Sequence, residues 1–236
     1  MVQKIKKEYA SIFSSIFDIL RQLKTEYKKN MGKMQDIHFV APNCLYRGVF
    51  DKESIIVDVG CGFDADFSVY MIKKYGLKSI GIDPTKKHEE SLKKISRNTN
   101  GRFTHQSIAI SSIDGNIYFN ESKSNVSGSL LDNHRNIMND PTERYEVKSV
   151  SMAQLPNFLH MRRIEYIKLD LEGAEFELIQ NLKKENVSKY GQIFVEVHHH
   201  CTNYSRADAD RCIQKMISFG FRQYAVDNRN VLFYKN

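Results

Sequence analysis

The chain has 236 residues, 41% of them hydrophobic, with 14 phenylalanines and 12 tyrosines, which is enough for one α/β domain with a substantial core plus an extension. No apolar run approaches the ~20 residues needed to span a bilayer, and the N-terminus lacks the apolar stretch and small-residue cleavage site of a signal peptide. With Cys44, Cys61, Cys201 and Cys212 in no metal or redox spacing, a reduced, cytoplasmic setting is expected. The net charge of +7 admits acidic partners, but the lysines are dispersed and form no long basic run.

Residues 1–45 read as a helical extension. Over 3–29, Ile5, Ile12, Phe13, Ile16, Phe17, Ile19, Leu20, Leu23 and Tyr27 recur at spacings of three and four, the period of a helix with one apolar face. Such a helix caps the domain or pairs with a second copy of the chain. Its flanking Lys6, Lys7, Arg21, Lys24, Lys28 and Lys29 also suit peripheral contact with an anionic membrane surface.

Residues 46–236 alternate strand and helix. The expected order is strand 55–59, helix 66–75, strand 79–82 and helix 86–97, then a strand at 103–109. The last is expected to pair with 116–120 across Asp114-Gly115, a strong hairpin signal. Strand 164–170 precedes helix 174–183, and strand 192–198 precedes helix 206–219, with Ser205 as N-cap and Gly220 as C-terminal stop. Arg222–Asp227 and Val231–Lys235 close the chain as an antiparallel pair. Between these elements, 120–149 is polar and turn-rich, with Asn120–Ser129 the extreme. A connection that long inside a compact domain is functional or disordered; 120–149 is read as a substrate-facing lid, with 132–145 equally open to reading as a disordered insertion.

The most informative stretch is Ile55-Ile-Val-Asp58-Val-Gly60-Cys61-Gly62-Phe-Asp64. It reads as a buried strand breaking into a glycine turn and a helix, which lets backbone approach a ligand closely. A second apolar run ends in Asp83, 23 positions beyond Gly60, at the spacing of a carboxylate that grips ribose hydroxyls. A nucleotide-like cofactor is therefore expected at the carboxyl ends of parallel strands. Gly60–Ala65 also satisfies the loose dinucleotide pattern G-x-G-x-x-A, so a dinucleotide-binding oxidoreductase stands as an alternative. Against it, the loop carries Asp58, Asp64 and Asp66, whereas pyrophosphate prefers an uncluttered helix N-terminus. Asp64 and Asp66 also fit as N-cap and first-turn residues.

Ile167-Lys-Leu-Asp-Leu-Glu-Gly-Ala-Glu175 closely resembles the Ile-Lys-x-Asp-x-Glu-Gly-x-Glu signature of the FkbM-type methyltransferases. Asp58–Gly62, Asp83-Pro84, Ile108-Ala109 with Asp114-Gly115, and Val195-Glu196-Val197-His198 follow in that family's order. The resemblance covers about 45–236. It implies a Rossmann-like class I methyltransferase fold: seven strands with a C-terminal antiparallel hairpin and helices on both faces. It further implies S-adenosylmethionine as cofactor, S-adenosylhomocysteine as product, and cofactor contacts from Asp58, Gly60, Cys61, Gly62, Asp64, Asp83, Pro84, Ser107, Ile108 and Asp170. The glycine loop is one residue longer than the family's usual Asp-x-Gly-Ala-Asn-x-Gly-Asp. The implied activity is O-methylation of a sugar or glycan-containing acceptor. A nucleic-acid acceptor is disfavoured, because Asp170-Leu-Glu-Gly stands where such enzymes carry Asn/Asp-Pro-Pro-Tyr/Phe. A non-catalytic cofactor-binding module acting through the N-terminal helix is the remaining alternative.

A hydroxyl acceptor must lose its proton at or after attack, so a positioned base helps. His198, Asp170 and Glu196 are the catalytic candidates. Glu196, His198 and His200 share one side of the fifth strand if it stays extended. His198 is expected as the base because unperturbed histidine titrates near neutrality; the competing reading is a supporting histidine bonded to Glu196. Asp170 is expected to orient cofactor or acceptor, and Glu175 to be a first-turn helix acid. Asp170, Glu196 and His198 together also make a possible Mg²⁺ or Mn²⁺ site.

Overall fold

The computed structural model describes residues 20, 22–33, 35–40, 43–132 and 134–235. Most of the helix expected over 3–29 lies outside the described residues; helix α1 occupies 22–33. The elements that follow are β1 (Ile37–Val40), β2 (Cys44–Arg47), β3 (Ile55–Val59), α2 (Asp66–Tyr75), β4 (Lys78–Ile82), α3 (Glu89–Asn98), β5 (Phe103–Gln106), β6 (Ala109–Ser111) and β7 (Gly115–Ser122). Then come β8 (Gly128–Ser129), α4 (Arg135–Met138), β9 (Thr142–Ser151), α5 (Leu155–Phe158), β10 (Ile164–Leu169), α6 (Glu175–Asn181), β11 (Tyr190–Glu196), α7 (Arg206–Ser218), β12 (Arg222–Ala225) and β13 (Asn230–Tyr234).

A seven-stranded sheet runs β12-β13-β11-β10-β3-β4-β5. Its strands are parallel except β13, which pairs antiparallel with both β11 and β12. This is the α/β sheet with a C-terminal antiparallel hairpin expected above. The apolar runs are short and nearly continuous because both faces are covered. On one face Val57, Val59, Ile167, Leu169, Ile193 and Val195 pack with residues of α6 and α7. On the other, Ile56, Tyr166, Phe194 and Leu232 pack with α2 and with Tyr46 and Leu45 of β2. Chain order reverses between β3 and β10, which are neighbours in the sheet. Ligands of open α/β sheets bind outside the strand carboxyl ends at such a point.

The extension before residue 46 is not helical throughout, since it contains the β1–β2 hairpin. Gln192 of β11 anchors that hairpin, accepting from the Arg47 amide at 2.8 Å and donating to its carbonyl at 2.8 Å. Helix α1 docks on the C-terminal hairpin, where Lys28 Nζ reaches the Ala225 and Val226 carbonyls, each at 3.1 Å.

The expected pairing of 103–109 with 116–120 is not what forms. That run divides into β5, which completes the edge of the central sheet, and β6, which joins a second sheet of order β6-β9-β7-β8. β7 pairs antiparallel with β9 over Gly115–Ser122, while β9 runs parallel to β6. Asp114 turns the chain, but its carboxylate accepts from the Ser151 amide at 2.7 Å and hydroxyl at 3.0 Å, which draws β9 between the two candidate partners. Much of the polar stretch 120–149 is thus strand.

Candidate active site

The site starts from the glycine turn after β3. Gly60 sits at φ +70, and a Cβ there would lie 1.9 Å from the Asp170 carbonyl oxygen, so only glycine lets the two strand ends come together. The Gly60 amide donates to Ile82 O at 2.8 Å, and the Asp170 amide donates to Val59 O at 3.1 Å. The loop is thereby tied to strands on both sides. Gly62, also at positive φ, donates its amide to Asp83 Oδ2 at 2.9 Å.

Asp83 is buried at the end of β4. Its Oδ1 accepts from the Thr85 amide at 2.9 Å, and His88 Nδ1 lies 3.3 Å from Oδ2. Burial opposes its charge, but the bonds from His88 and Thr85 outweigh that and hold it below the usual carboxylate range. A carboxylate offers about four acceptor sites, so Asp83 keeps capacity for a ligand.

Lys168, which sequence reasoning passed over, is the pin beneath the loop. Period-two alternation puts it on the same sheet face as Asp58, its cross-strand partner. Its Nζ lies 3.1 Å from Asp170 Oδ2, 3.5 Å from Asp58 Oδ1 and 3.3 Å from the Gly60 carbonyl. Burial works against its charge, but Asp170 and Asp58 override it and raise the ammonium well above its ordinary value. Asp58 also accepts from Ser68 Oγ at 2.6 Å. A lysine inside one apolar strand and a carboxylate inside another were the available signal, but only the register shows that they meet.

The wall beyond Asp170 is acidic and imidazole-rich. Glu172 is a non-glycine residue at φ +49. Glu175 is buried and accepts from the Gly173 amide at 2.8 Å, the His198 amide at 2.6 Å and His198 Nδ1 at 3.2 Å. It is the expected first-turn acid of α6, and it is buried there as an anchor for His198. β11 ends at Glu196, so His198 and His200 do not continue its alternation. His198 bonds Glu175 instead of Glu196, and its Nε2 lies 3.4 Å from Asp170 Oδ1 and 3.7 Å from Glu172 Oε2. His200 turns outward toward Arg229, 3.3 Å away.

Burial lowers the affinity of His198 for its proton, but the Glu175 bond and charge, with Asp170 and Glu172, raise its pKa to about 10. At neutral pH the imidazole then carries both protons and has no lone pair to accept another. The expectation of a base at His198 rested on near-neutral titration, and these surroundings remove that premise. Glu196 is raised by burial and next by the neighbouring Asp170 charge. Ligand atoms of Asp170, Glu196 and His198 lie within 4.8 Å of one another.

A cleft with an empty volume of about 870 Å³, open to solvent, lies over these strand ends. Of the expected cofactor contacts, Gly60, Gly62, Asp64, Asp83, Pro84, Ile108 and Asp170 line it. Asp58, Cys61 and Ser107 do not: Asp58 and Cys61 are buried, and Ser107 is exposed outside the lining. Glu196 and His198 also lie outside the lining, beside Asp170. Asp64 is not the N-cap of α2; Ala65 takes that position in the left-handed region without a side-chain cap. Phe63, Thr85, His88, Leu171 and Glu172 line the cleft as well.

The second sheet contributes Phe119, Val126, Ser127 and Gly128, with Leu130 just beyond. It is held down by Tyr145, whose hydroxyl donates to Glu121 at 2.5 Å and approaches Pro84 O at 3.1 Å, and by Ser129 Oγ, which donates to Glu172 O at 2.8 Å. No helix among the described residues is long and apolar enough to cross a membrane.

A family model described as the methyltransferase FkbM domain matches residues 54–223. Comparison with curated proteins gave no match. Among solved structures, the chain is similar to one from the fibrillarin/Nop5p complex, with TM-score 0.46 and 8% identity over 81% of this chain and 77% of that one. It is similar to M. capricolum TrmK in complex with its natural cofactor product S-adenosyl-homocysteine, at 0.40 and 12% over 80% and 65%. An O-methyltransferase family protein from Burkholderia thailandensis gives 0.41 and 9% over 93% and 59%. The chain spans less than two thirds of the last two.

Proposed function

The chain belongs to the FkbM methyltransferase family, and from that premise we propose that it methylates a hydroxyl of a sugar or glycan-containing acceptor. It is an S-adenosylmethionine-dependent enzyme. The observation that carries the reading is the charge of the cleft. Asp64, Asp83, Asp170 and Glu172 line it, and among the described residues no lysine or arginine does. That surface suits a ligand with a sulfonium and an ammonium, and opposes the pyrophosphate of a dinucleotide.

When bound, the cofactor supplies a methyl group activated on a sulfonium. The protein supplies position and electrostatics. Asp83 is placed to accept ribose hydroxyls with its remaining capacity. Phe63, Pro84 and Ile108 give apolar surface for a base. Asp170, fixed by Lys168 on one oxygen and His198 on the other, orients the cationic end or the acceptor hydroxyl. Glu196, beside Asp170, is the residue we assign as base: made more basic by burial and by Asp170, its carboxylate would hold the proton given up by the acceptor hydroxyl as the methyl passes to oxygen and the sulfonium leaves as the thioether. His198, in its charged form, positions Asp170.

Methyl-labelled cofactor offered with a panel of sugars and glycans tests this, with hydrolysis and mass spectrometry of the product. The label is expected on a sugar oxygen. Glu196→Gln is expected to lower turnover ~10²–10⁴-fold while leaving S-adenosylhomocysteine affinity near wild type. Label recovered only on nitrogen or on nucleic acid, or full turnover in the variant, contradicts the reading.

A further inference from the structure

Beside the cleft, three chain segments meet at a cluster in which His134 and Cys201, unused by the methyl-transfer reading, join the cleft residue Glu172. His134, just ahead of α4, is fully buried, and its Nε2 lies 2.8 Å from Glu172 Oε2. The same Nε2 lies 3.1 Å from Cys201 Sγ, in the turn after β11. All three donor atoms fall within 4.8 Å of one another. One imidazole nitrogen thus faces both a carboxylate oxygen and a sulfur. Without an ion, Nε2–H serves Glu172 and the Cys201 thiol donates to the His198 carbonyl at 3.7 Å; a cation at the common focus would take nitrogen, oxygen and sulfur together as ligands.

The donor set selects the ion. Imidazole nitrogen with thiolate sulfur and one carboxylate oxygen suits a borderline-soft divalent transition metal, above all Zn²⁺, and not Mg²⁺ or Ca²⁺, which take oxygen. The surroundings are those of a built site. His134 and Cys201 are buried, whereas the Glu172 side chain is 30% exposed and gives an ion access from the cleft. Glu172 holds a left-handed backbone at φ +49, a conformation that surrounding structure must over-determine. Two further bonds support the convergence: the Arg135 amide donates to Cys201 O at 2.9 Å, and Ser129 Oγ donates to Glu172 O at 2.8 Å.

We propose that His134, Glu172 and Cys201 form a Zn²⁺ site that staples the segment ahead of α4 and the turn after β11 to the loop bordering the cleft. Binding releases the Cys201 thiol proton, so occupancy rises with pH. Three protein donors leave a fourth position for water or an acceptor oxygen. The site adjoins His198, whose Nε2 lies 3.7 Å from Glu172 Oε2, but it shares no ligand with the Asp170, Glu196 and His198 cluster, and it does not depend on which acceptor is methylated.

Cobalt substitution of the full chain tests this. The purified protein, freed of metal by a chelator and titrated with Co²⁺, is expected to bind one ion per chain. The spectrum should show intense visible bands of tetrahedral cobalt and a near-ultraviolet thiolate-to-metal charge-transfer band, with Zn²⁺ displacing the cobalt. Cys201→Ser should remove the charge-transfer band, and His134→Gln should weaken metal binding at least ~100-fold, beyond the ~10–100-fold typical of losing a supporting group. Glu196→Gln should leave uptake unchanged. A weak octahedral spectrum without the thiolate band in the wild-type protein overturns the proposal, whatever the variants do. So does a band that survives Cys201→Ser, or uptake that is lost in Glu196→Gln.

Discussion

Replacing Gly60 with alanine tests the glycine turn more sharply than any change to a charged residue. Gly60 and Gly62 both sit near φ +70, where a non-glycine residue costs ~1–2 kcal/mol. Their surroundings differ. An added Cβ at Gly62 meets nothing nearer than Asp64 Oδ1 at 3.8 Å, whereas at Gly60 it would lie 1.9 Å from the Asp170 carbonyl oxygen. Relief requires the two loops to part by more than 1 Å, which strains the Asp170 amide bond to Val59 O and the Lys168 contact with Gly60 O. Overpacking of this kind adds ~1–3 kcal/mol. At ~2–4 °C per kcal/mol for a chain of this size, Gly62→Ala should lower Tm by ~2–8 °C and Gly60→Ala by ~4–20 °C. Gly60→Ala should also weaken S-adenosylhomocysteine binding, because it displaces Asp170. Thermal melts and calorimetric titration of the two variants side by side measure both effects. Equal melting losses with unchanged affinity in Gly60→Ala would refute the argument that the two strand ends meet there.

Asp83→Ala removes a charge-assisted acceptor worth ~1.5–3 kcal/mol, so S-adenosylhomocysteine affinity should fall ~10–100-fold; calorimetry showing no change rejects the ribose role. Lys168→Met leaves Asp58 and Asp170 without their buried countercharge, a loss of ~3–5 kcal/mol, readable as a fall in denaturation midpoint at unchanged m-value. His198 has a folded pKa of about 10 against an ordinary 6.5, so its stabilisation is complete below pH 6.5 and is lost as pH rises toward 10. The wild-type Tm should therefore decline across that window more steeply than that of His198→Gln, and parallel profiles contradict the charged imidazole.

Local signals carried well into three dimensions where they depend on local physics. Ser205 caps α7, accepting from the Asp208 amide, and Gly220 ends it at φ +92, since caps and left-handed stops are decided within one turn. Short apolar runs located the strands of the central sheet, because strands covered on both faces have no polar side to show. Pairing across long separations was less legible. β9 reads as polar sequence because one face is solvated, and nothing local announces that it inserts beside β7. The same limit applies to the site. Glu175 looks like any first-turn acid until the turn after β11 folds onto it, and the titration of His198 is set by three carboxylates from another strand end. His134 stood in a stretch judged by composition alone.

The most direct test of the central claim is native mass spectrometry of the purified chain with equimolar S-adenosylhomocysteine and NAD⁺ in competition. A cleft lined, among the described residues, by four carboxylates and no lysine or arginine should yield a one-to-one adduct with S-adenosylhomocysteine and none with the dinucleotide. An adduct with NAD⁺ alone would contradict the account.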